Sequence, residues 1–127
     1  MIDLVMCEAI RDTLTAELGG GVYVGLPHDN ERITFPCVLL DLRGSSLLKS
    51  PLWTGQLTAA VGHQADDSTV EEHATLVEQV GSILNSLTID SDAVQLYGIV
   101  SKSSDSVNQD RHWNTNLSYT LGYGPKP

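Results

Sequence analysis

The segment at residues 112–124 constrains the fold most, because its side chains alternate in character along its whole length. One alternate set is mostly apolar or aromatic and comprises Trp113, Thr115, Leu117, Tyr119, Leu121 and Tyr123. The other set is small and uncharged and comprises Asn114, Asn116, Ser118, Thr120 and Gly122. A period of two places the two sets on opposite faces of a β-strand. We therefore expect a strand that buries one face in a core, which requires a sheet and a covering layer.

Two further segments predict helices, and four predict strands. Apolar residues spaced by three and four over residues 2–18 predict a first helix, which three successive glycines end. Ser68 stands three residues before Glu71 in the pattern of a capping box, so a second helix is expected over residues 68–87. Gly81 within it suggests a close approach to the sheet. Strands are expected at residues 22–26, 35–42, 53–63 and 93–101.

This order of elements predicts one α+β domain over residues 1–127, with the order α-β-β-β-α-β-β. The expected sheet is mixed but mainly antiparallel, has about five strands and is packed by two helices. Residues 35–42 are apolar at both alternations, which predicts a central strand covered on both faces. Residues 43–52 and 102–110 are rich in serine and other polar residues, and we expect both segments to be loops.

The charge distribution disfavours binding to a nucleic-acid backbone. The chain has a net charge of −9, and no lysine or arginine occurs between Lys49 and Lys102. The acidic residues in that interval either solvate the surface or form a surface that DNA passes without binding. The candidates for such an acidic surface or pore are Asp66, Asp67, Glu71 and Glu72. No apolar run is long enough to span a membrane, so no membrane partner is expected.

No recognised motif for catalysis, a cofactor or a metal occurs in the sequence. The four histidines form no HExxH pair, and Cys7 and Cys37 lack metal-type spacing. The densest polar cluster surrounds the start of the second predicted helix, where acidic residues are favoured by the helix dipole. We therefore expect neither an enzyme nor a cofactor. A small metal-binding enzyme remains an alternative, and it would be centred on His63, Asp66, Asp67 and His73.

Two sets of residues are candidates for a subunit or partner interface. The predicted loop at residues 43–52 contains apolar side chains that the chain itself is not expected to bury, so a partner is expected to cover them. They are Leu47, Leu48 and Leu52. The uncharged face of residues 112–124 either meets water or meets a neighbouring subunit without burying an unpaired charge. Its candidate residues are Asn114, Asn116 and Ser118.

The sequence resembles the tail terminator (tail-completion) proteins of long-tailed phages, of which the lambda-type protein is an example. The resemblance covers most of the chain and is carried by the order of elements, by FPCVLLDL, by Trp53-x-x-x-Leu57, by the long second helix, and by Trp113-x-x-x-Leu117-x-Tyr119-x-x-x-Tyr123. It implies an α+β protein that forms a homohexameric ring without catalytic residues. Such a ring caps the major tail tube protein, ends tube polymerisation and attaches to neck or head-completion proteins.

The same resemblance implies a location in the virion, at the tail or neck, after assembly in the host cytoplasm. Genomic DNA would pass through the ring at ejection without specific binding. Head–tail adaptor (neck) proteins share the size and element order, so an adaptor is the alternative within the same class. The triple glycine and the leucine-rich segment at residues 45–52 do not match the family pattern.

Overall fold

The structure of the chain is a computed structural model that describes residues 2–25, 36–49, 52–64, 70–109 and 112–126. These residues form helix α1 (Ile2–Leu18), strands β1 (Val22–Val24), β2 (Cys37–Lys49) and β3 (Leu52–Gln64), helix α2 (Val70–Asn85), and strands β4 (Val94–Gln109) and β5 (His112–Pro125). The predicted α+β class and element order are confirmed, with two helices and a five-stranded mixed sheet in the described part of the chain.

Glycine ends α1 as its sequence predicts. The amide of Gly19 donates a hydrogen bond of 2.8 Å to the carbonyl oxygen of Thr15, and Gly19, Gly20 and Gly21 all have positive φ. A Cβ added at Gly21 would lie 2.9 Å from the carbonyl oxygen of Pro36. Glycine is therefore required there for space as well as for conformation.

The strands lie in the order β1-β2-β3-β5-β4. Strand β1 is short and pairs in parallel with residues 38–40 of β2, whereas all other neighbours pair antiparallel. The alternating C-terminal segment is thus an internal strand between β3 and β4. Strand β4 forms one edge of the sheet, and β1 with the remainder of β2 forms the other.

Both helices contribute to a single core on one face of the sheet. Met6, Ile10 and Leu14 of α1 and Val80 and Leu84 of α2 are each fully buried. They join one cluster with alternate residues of the strands, namely Val38, Leu40, Leu57, Ala59, Val61, Leu117, Tyr119, Leu121 and Tyr123. The apolar set predicted for residues 112–124 is therefore the core-facing set.

Both predicted loops are wrong, because the segments continue the strands that precede them. Residues 43–49 pair with residues 52–56 of β3 to form a hairpin, so Leu47 and Leu52 lie in strands. Residues 103–109 of β4 pair with residues 112–118 of β5. Backbone hydrogen bonds form these ladders regardless of side-chain type. Shifts of the strand register accommodate the residues that have no direct partner. In β2 the shifts fall between Arg43 and Ser46 and between Leu47 and Lys49. In β4 they fall between Leu96 and Gly98 and between Ser101 and Ser103.

The expectation that residues 35–42 are covered on both faces is also wrong for the described part of the chain. Val38 and Leu40 are buried against the helices, whereas the intervening Leu39 is only half-buried. Leu39 lies on the sheet face that points away from the core cluster. An apolar residue on that face raises the question of what covers it.

Candidate functional site

The sheet face opposite the helices is the broadest candidate surface, and we call it the open face. Residues that are neighbours across the strands, and that alternate with the core residues, define it. They are Leu39, Asp41 and Arg43 of β2, Gln56, Thr58 and Ala60 of β3, and Asn114, Asn116, Ser118 and Thr120 of β5. All of them are half-buried or exposed, and no described helix packs against them.

A shallow groove of about 300 Å³ crosses the β1 side of the open face. Leu39 and Ala60 are register partners and supply apolar side chains to it, next to Thr58. Asp41 and Arg43 flank the groove and form an ion pair with each other. The groove thus combines a small apolar patch with one compensated pair of charges.

The interior of the open face is uncharged. Asn114 donates a hydrogen bond of 3.5 Å to the Oδ1 atom of Asn116, and the Thr120 hydroxyl donates one of 3.2 Å to the Oε1 atom of Gln56. The predicted interface residues Asn114, Asn116 and Ser118 are all half-buried members of this face. A neutral, hydrogen-bonding surface can be covered by another protein without burying an unpaired charge.

The structure separates the two predicted sets of interface residues. Leu47 is half exposed and lies near the far end of the β2–β3 hairpin, close to its partner Trp53. Leu52 is half-buried in β3, and the side chain of Leu48 lies outside the described residues. The sequence reasoning missed Leu39 and Ala60. The signal for Leu39 was the second apolar alternation in residues 35–42, which the sequence alone assigns to a buried layer. Ala60 alternates with the core residues Ala59 and Val61 in the next strand, so its signal was its position on the opposite face.

A chain of hydrogen bonds joins α2 to three strands on the helix side of the sheet. The Nδ1 atoms of His63 and His73 are 2.8 Å apart. The Nε2 atom of His73 is 2.8 Å from the Thr115 hydroxyl, which is 2.9 Å from the hydroxyl of Ser106. His63 and Thr115 are each 4% exposed. These polar groups are thereby satisfied inside an otherwise apolar contact.

The two histidines keep this arrangement only if at least one ring is neutral. One Nδ1 atom must donate its proton and the other must accept it, so two imidazolium rings would repel each other. Burial lowers the pKa of His63, although the charge of Glu72 acts in the opposite direction. Burial also lowers the pKa of His73, and the nearby His63 adds to that effect. Both pKa shifts favour neutral rings, and the contact requires at least one neutral ring.

The described acidic candidates lie on the helix side of the molecule. Glu71 and Glu72 are exposed in the first turn of α2, and Asp66 and Asp67 lie outside the described residues. Helix α2 packs into the core cluster, on the opposite face of the sheet from Asn116 and Ser118. The uncharged candidate surface and the described acidic one therefore face in different directions.

Metal and thiol chemistry receive no positive support from the described residues. Within those residues, no group of three or more His, Cys, Asp or Glu side chains is placed to hold a metal ion. The metal-site alternative also needs Asp66 and Asp67, which lie outside them. Cys7 and Cys37 are free and buried, and burial raises the pKa of the Cys7 thiol to about 11. Neither helix of the described chain has the length and apolar character of a membrane span.

Comparison with known proteins identifies a shared fold and no family. No protein-family model matches the sequence, and no curated protein matches it. Among solved structures, a chain of the virion of a native gene transfer agent (GTA) particle superposes with a TM-score of 0.63 at 13% sequence identity. The match covers 94% of this chain and 94% of that chain. Most of this α+β domain therefore shares its fold with a chain of that virion particle.

Proposed function

We propose that this chain is a structural virion protein that forms a ring on the end of a phage tail tube. The ring ends tube polymerisation and presents the surface to which the neck attaches. The observation that carries the proposal is the shared fold with a chain of a GTA virion over 94% of both chains. The resemblance of the sequence to tail terminators supports it independently, because that resemblance rests on residue patterns.

The open face supports an assembly role. A ring of identical subunits needs two different complementary patches on each subunit. The uncharged strip of Asn114, Asn116 and Ser118, next to the apolar pair Leu39 and Ala60, has the composition of a surface that a protein covers. Exposed Leu47 at the end of the β2–β3 hairpin is a candidate for a second patch.

The charge of the chain supports passage of DNA without capture. DNA carries one negative charge per roughly 1.7 Å of axis, so a basic pore would hold it and an acidic one would not. The chain has a net charge of −9, and Glu71 and Glu72 are exposed on α2. We propose that a surface containing these two residues faces the DNA path, with no reaction catalysed there.

Purified protein mixed with tail tubes tests the proposal. We expect a ring at one end of each tube, tubes of limited length, and a ring mass near six subunits by native mass spectrometry. Tubes that continue to grow, with no bound ring, contradict the capping role. Cross-linking to the major tail tube protein separates a terminator from a head–tail adaptor, which would cross-link only to neck or head-completion proteins.

A further inference from the structure

The outer edge of β4 lacks a strand partner over residues 97–109 in the described part of the chain. The start of the strand is covered, since the amide of Leu96 donates a 2.9 Å hydrogen bond to the carbonyl oxygen of Ile89. The amide of Ser91 likewise donates to the carbonyl oxygen of Val94 at 3.0 Å. Beyond Leu96 no described residue continues this protection. A long open edge is a template for a strand of another molecule.

The opposite side of the sheet has a second open edge. Strand β1 pairs only with residues 38–40 of β2, so residues 41–49 have a described strand on one side alone. Among the described residues, each subunit thus offers two different edges without a strand partner, one from β4 and one from β2. Two different edges permit a head-to-tail contact, which is the type that generates rings.

Strand direction makes the two edges compatible. Strand β2 is antiparallel to β3, β3 to β5, and β5 to β4, so β2 and β4 run in opposite directions. A second copy in the same orientation, placed with its β2 beside β4, therefore continues the antiparallel sheet. No subunit has to be inverted for this contact to form.

Exposed apolar side chains are found at both edges. Val100 is 67% exposed and Tyr97 is 46% exposed on β4, and Leu47 is 50% exposed on β2. Large apolar side chains at an unpaired edge promote association. The register places Leu47 in the row of Trp53 and Tyr123 on the helix side, and Val100 in the row of Thr120 on the open face. Edge pairing between two copies would therefore remove apolar surface from water on both faces of the sheet.

One pair of opposite charges lies on the same face at the two edges. Arg43 of β2 lies on the open face with 78% of its side chain exposed. Asp105 of β4 is exposed and pairs in register with Asn116, which places it on the same face at the other edge. Asp41 already contacts the Arg43 guanidinium, which retains donors for a second carboxylate. The two edges of one copy are separated by β3 and β5, so Asp105 cannot be reached within the chain.

We propose that β4 of one copy pairs antiparallel with β2 of the next copy, with Arg43 of the second beside Asp105 of the first. This contact rests on the proposed ring and specifies how its subunits join. The five-stranded sheets then merge into one continuous sheet that runs around the assembly. The open face becomes one continuous surface of that assembly.

Disulfide trapping tests the contact directly. We mix separately purified Arg43→Cys and Asp105→Cys proteins under mild oxidation and expect covalent dimers in the mixture only. Neither single variant should cross-link with itself, because head-to-tail pairing keeps identical positions apart. Wild-type protein is the control for Cys7 and Cys37, which are 2% and 4% exposed. Dimers from Asp105→Cys alone would instead indicate symmetric pairing of two β4 strands and would overturn the proposal.

Charge exchange tests the same contact without a cross-link. Arg43→Glu and Asp105→Arg should each lower the association constant roughly tenfold or more, because each places like charges together. Combining both reversals in one chain should restore assembly to near the wild-type level. Glu78→Arg, at an exposed position of α2, is the control for net charge. Two single variants that assemble normally, or a double variant that remains defective, contradict the Arg43–Asp105 contact.

The readouts separate this contact from the proposed function. Rings that cap tubes but give no mixed disulfide and no rescue leave the capping role intact and refute edge pairing. Mixed disulfides and rescue in a protein that leaves tube length unchanged confirm edge pairing and refute the capping role. A wild-type chain that remains monomeric both alone and with tubes refutes both.

Discussion

The rings of His63 and His73 meet edge to face, with their Nδ1 atoms 2.8 Å apart and their planes 84° from parallel. This contact links the first half of α2 to β3. The second nitrogen of His73 continues the contact to Thr115 of β5. A polar link of this kind fixes the position of a helix more specifically than apolar packing alone, because it is satisfied in one geometry only.

Acid should weaken the fold through this histidine pair. Both histidines have a folded-state pKa below the usual 6.5, so the unfolded chain binds protons more readily. The stability that the neutral histidine pair contributes to the fold is therefore complete above about pH 6.5. It is lost as the pH falls through the lowered folded-state pKa values. Denaturant titrations from pH 8 to pH 5 should show a steeper loss of unfolding free energy for the wild type than for a His63→Asn, His73→Gln double variant. Equal slopes would remove the histidine pair as the cause.

Replacing Thr115 with valine should destabilise the protein more than truncating its partner. Thr115→Val leaves the half-buried His73 without its second hydrogen-bond partner, which costs about 1–3 kcal/mol of unfolding free energy. Ser106→Ala removes the outer member of the chain, and that serine is exposed. Its loss should cost roughly 0.5–1.5 kcal/mol at most. Chemical denaturation of both variants measures the difference, and a larger effect at Ser106 contradicts it.

Two glycines should respond in opposite ways to alanine. A Cβ at Gly55 would lie 2.9 Å from the Tyr123 hydroxyl oxygen and 3.1 Å from the Cδ1 atom of Leu42. Gly55→Ala should therefore lower the unfolding free energy by about 1–3 kcal/mol through overpacking. A Cβ at Gly81 would meet only the Tyr119 hydroxyl, at 3.9 Å. Gly81→Ala should raise the unfolding free energy by about 1 kcal/mol through helix propensity. Thermal and denaturant unfolding measure both changes, and equal signs would refute this interpretation of the two sites.

The Gly81 distance also shows where sequence reasoning fails. A glycine in a helix suggests close approach to the sheet, yet 3.9 Å is an ordinary contact and does not require glycine. The sequence shows that glycine lowers the helix propensity at this position, but it does not show how much space surrounds the residue. By contrast, the alternation of Leu117, Tyr119 and Leu121 predicted their common core face, because strand periodicity is a local property.

The strand ends were not predictable for a related reason. Residues 43–49 and 102–109 have the composition of loops, but their partner strands extend far enough to pair with them. Pairing between distant segments overrides local preference. The link between His73 and Thr115 depends in the same way on long-range packing, since these residues are far apart in the sequence. The sequence thus indicated which residues form the uncharged face but not the edges that flank it.

Charged substitutions on the open face should separate folding from assembly. Asn116→Lys and Ser118→Lys place a flexible cation on a half-buried, uncharged part of that face. In the free subunit the lysine side chain extends to water, so the unfolding free energy should change by about 0.5 kcal/mol or less. If the face is covered in the assembly, the same ammonium group must be buried without a partner, and association should weaken by roughly tenfold or more.

Sedimentation velocity and native mass spectrometry measure that loss of assembly, while circular dichroism checks that the subunit remains folded. Ala74→Lys is the matched control, because Ala74 is an exposed position of α2 on the other side of the sheet. Weak assembly in both open-face variants, with normal assembly in the control, indicates that a protein covers Asn116 and Ser118. Normal assembly in all three variants would show that this face meets water. The contact between subunits would then lie outside the open face, as pairing at the edges of the sheet requires, since a neutral face that tolerates lysine is not buried.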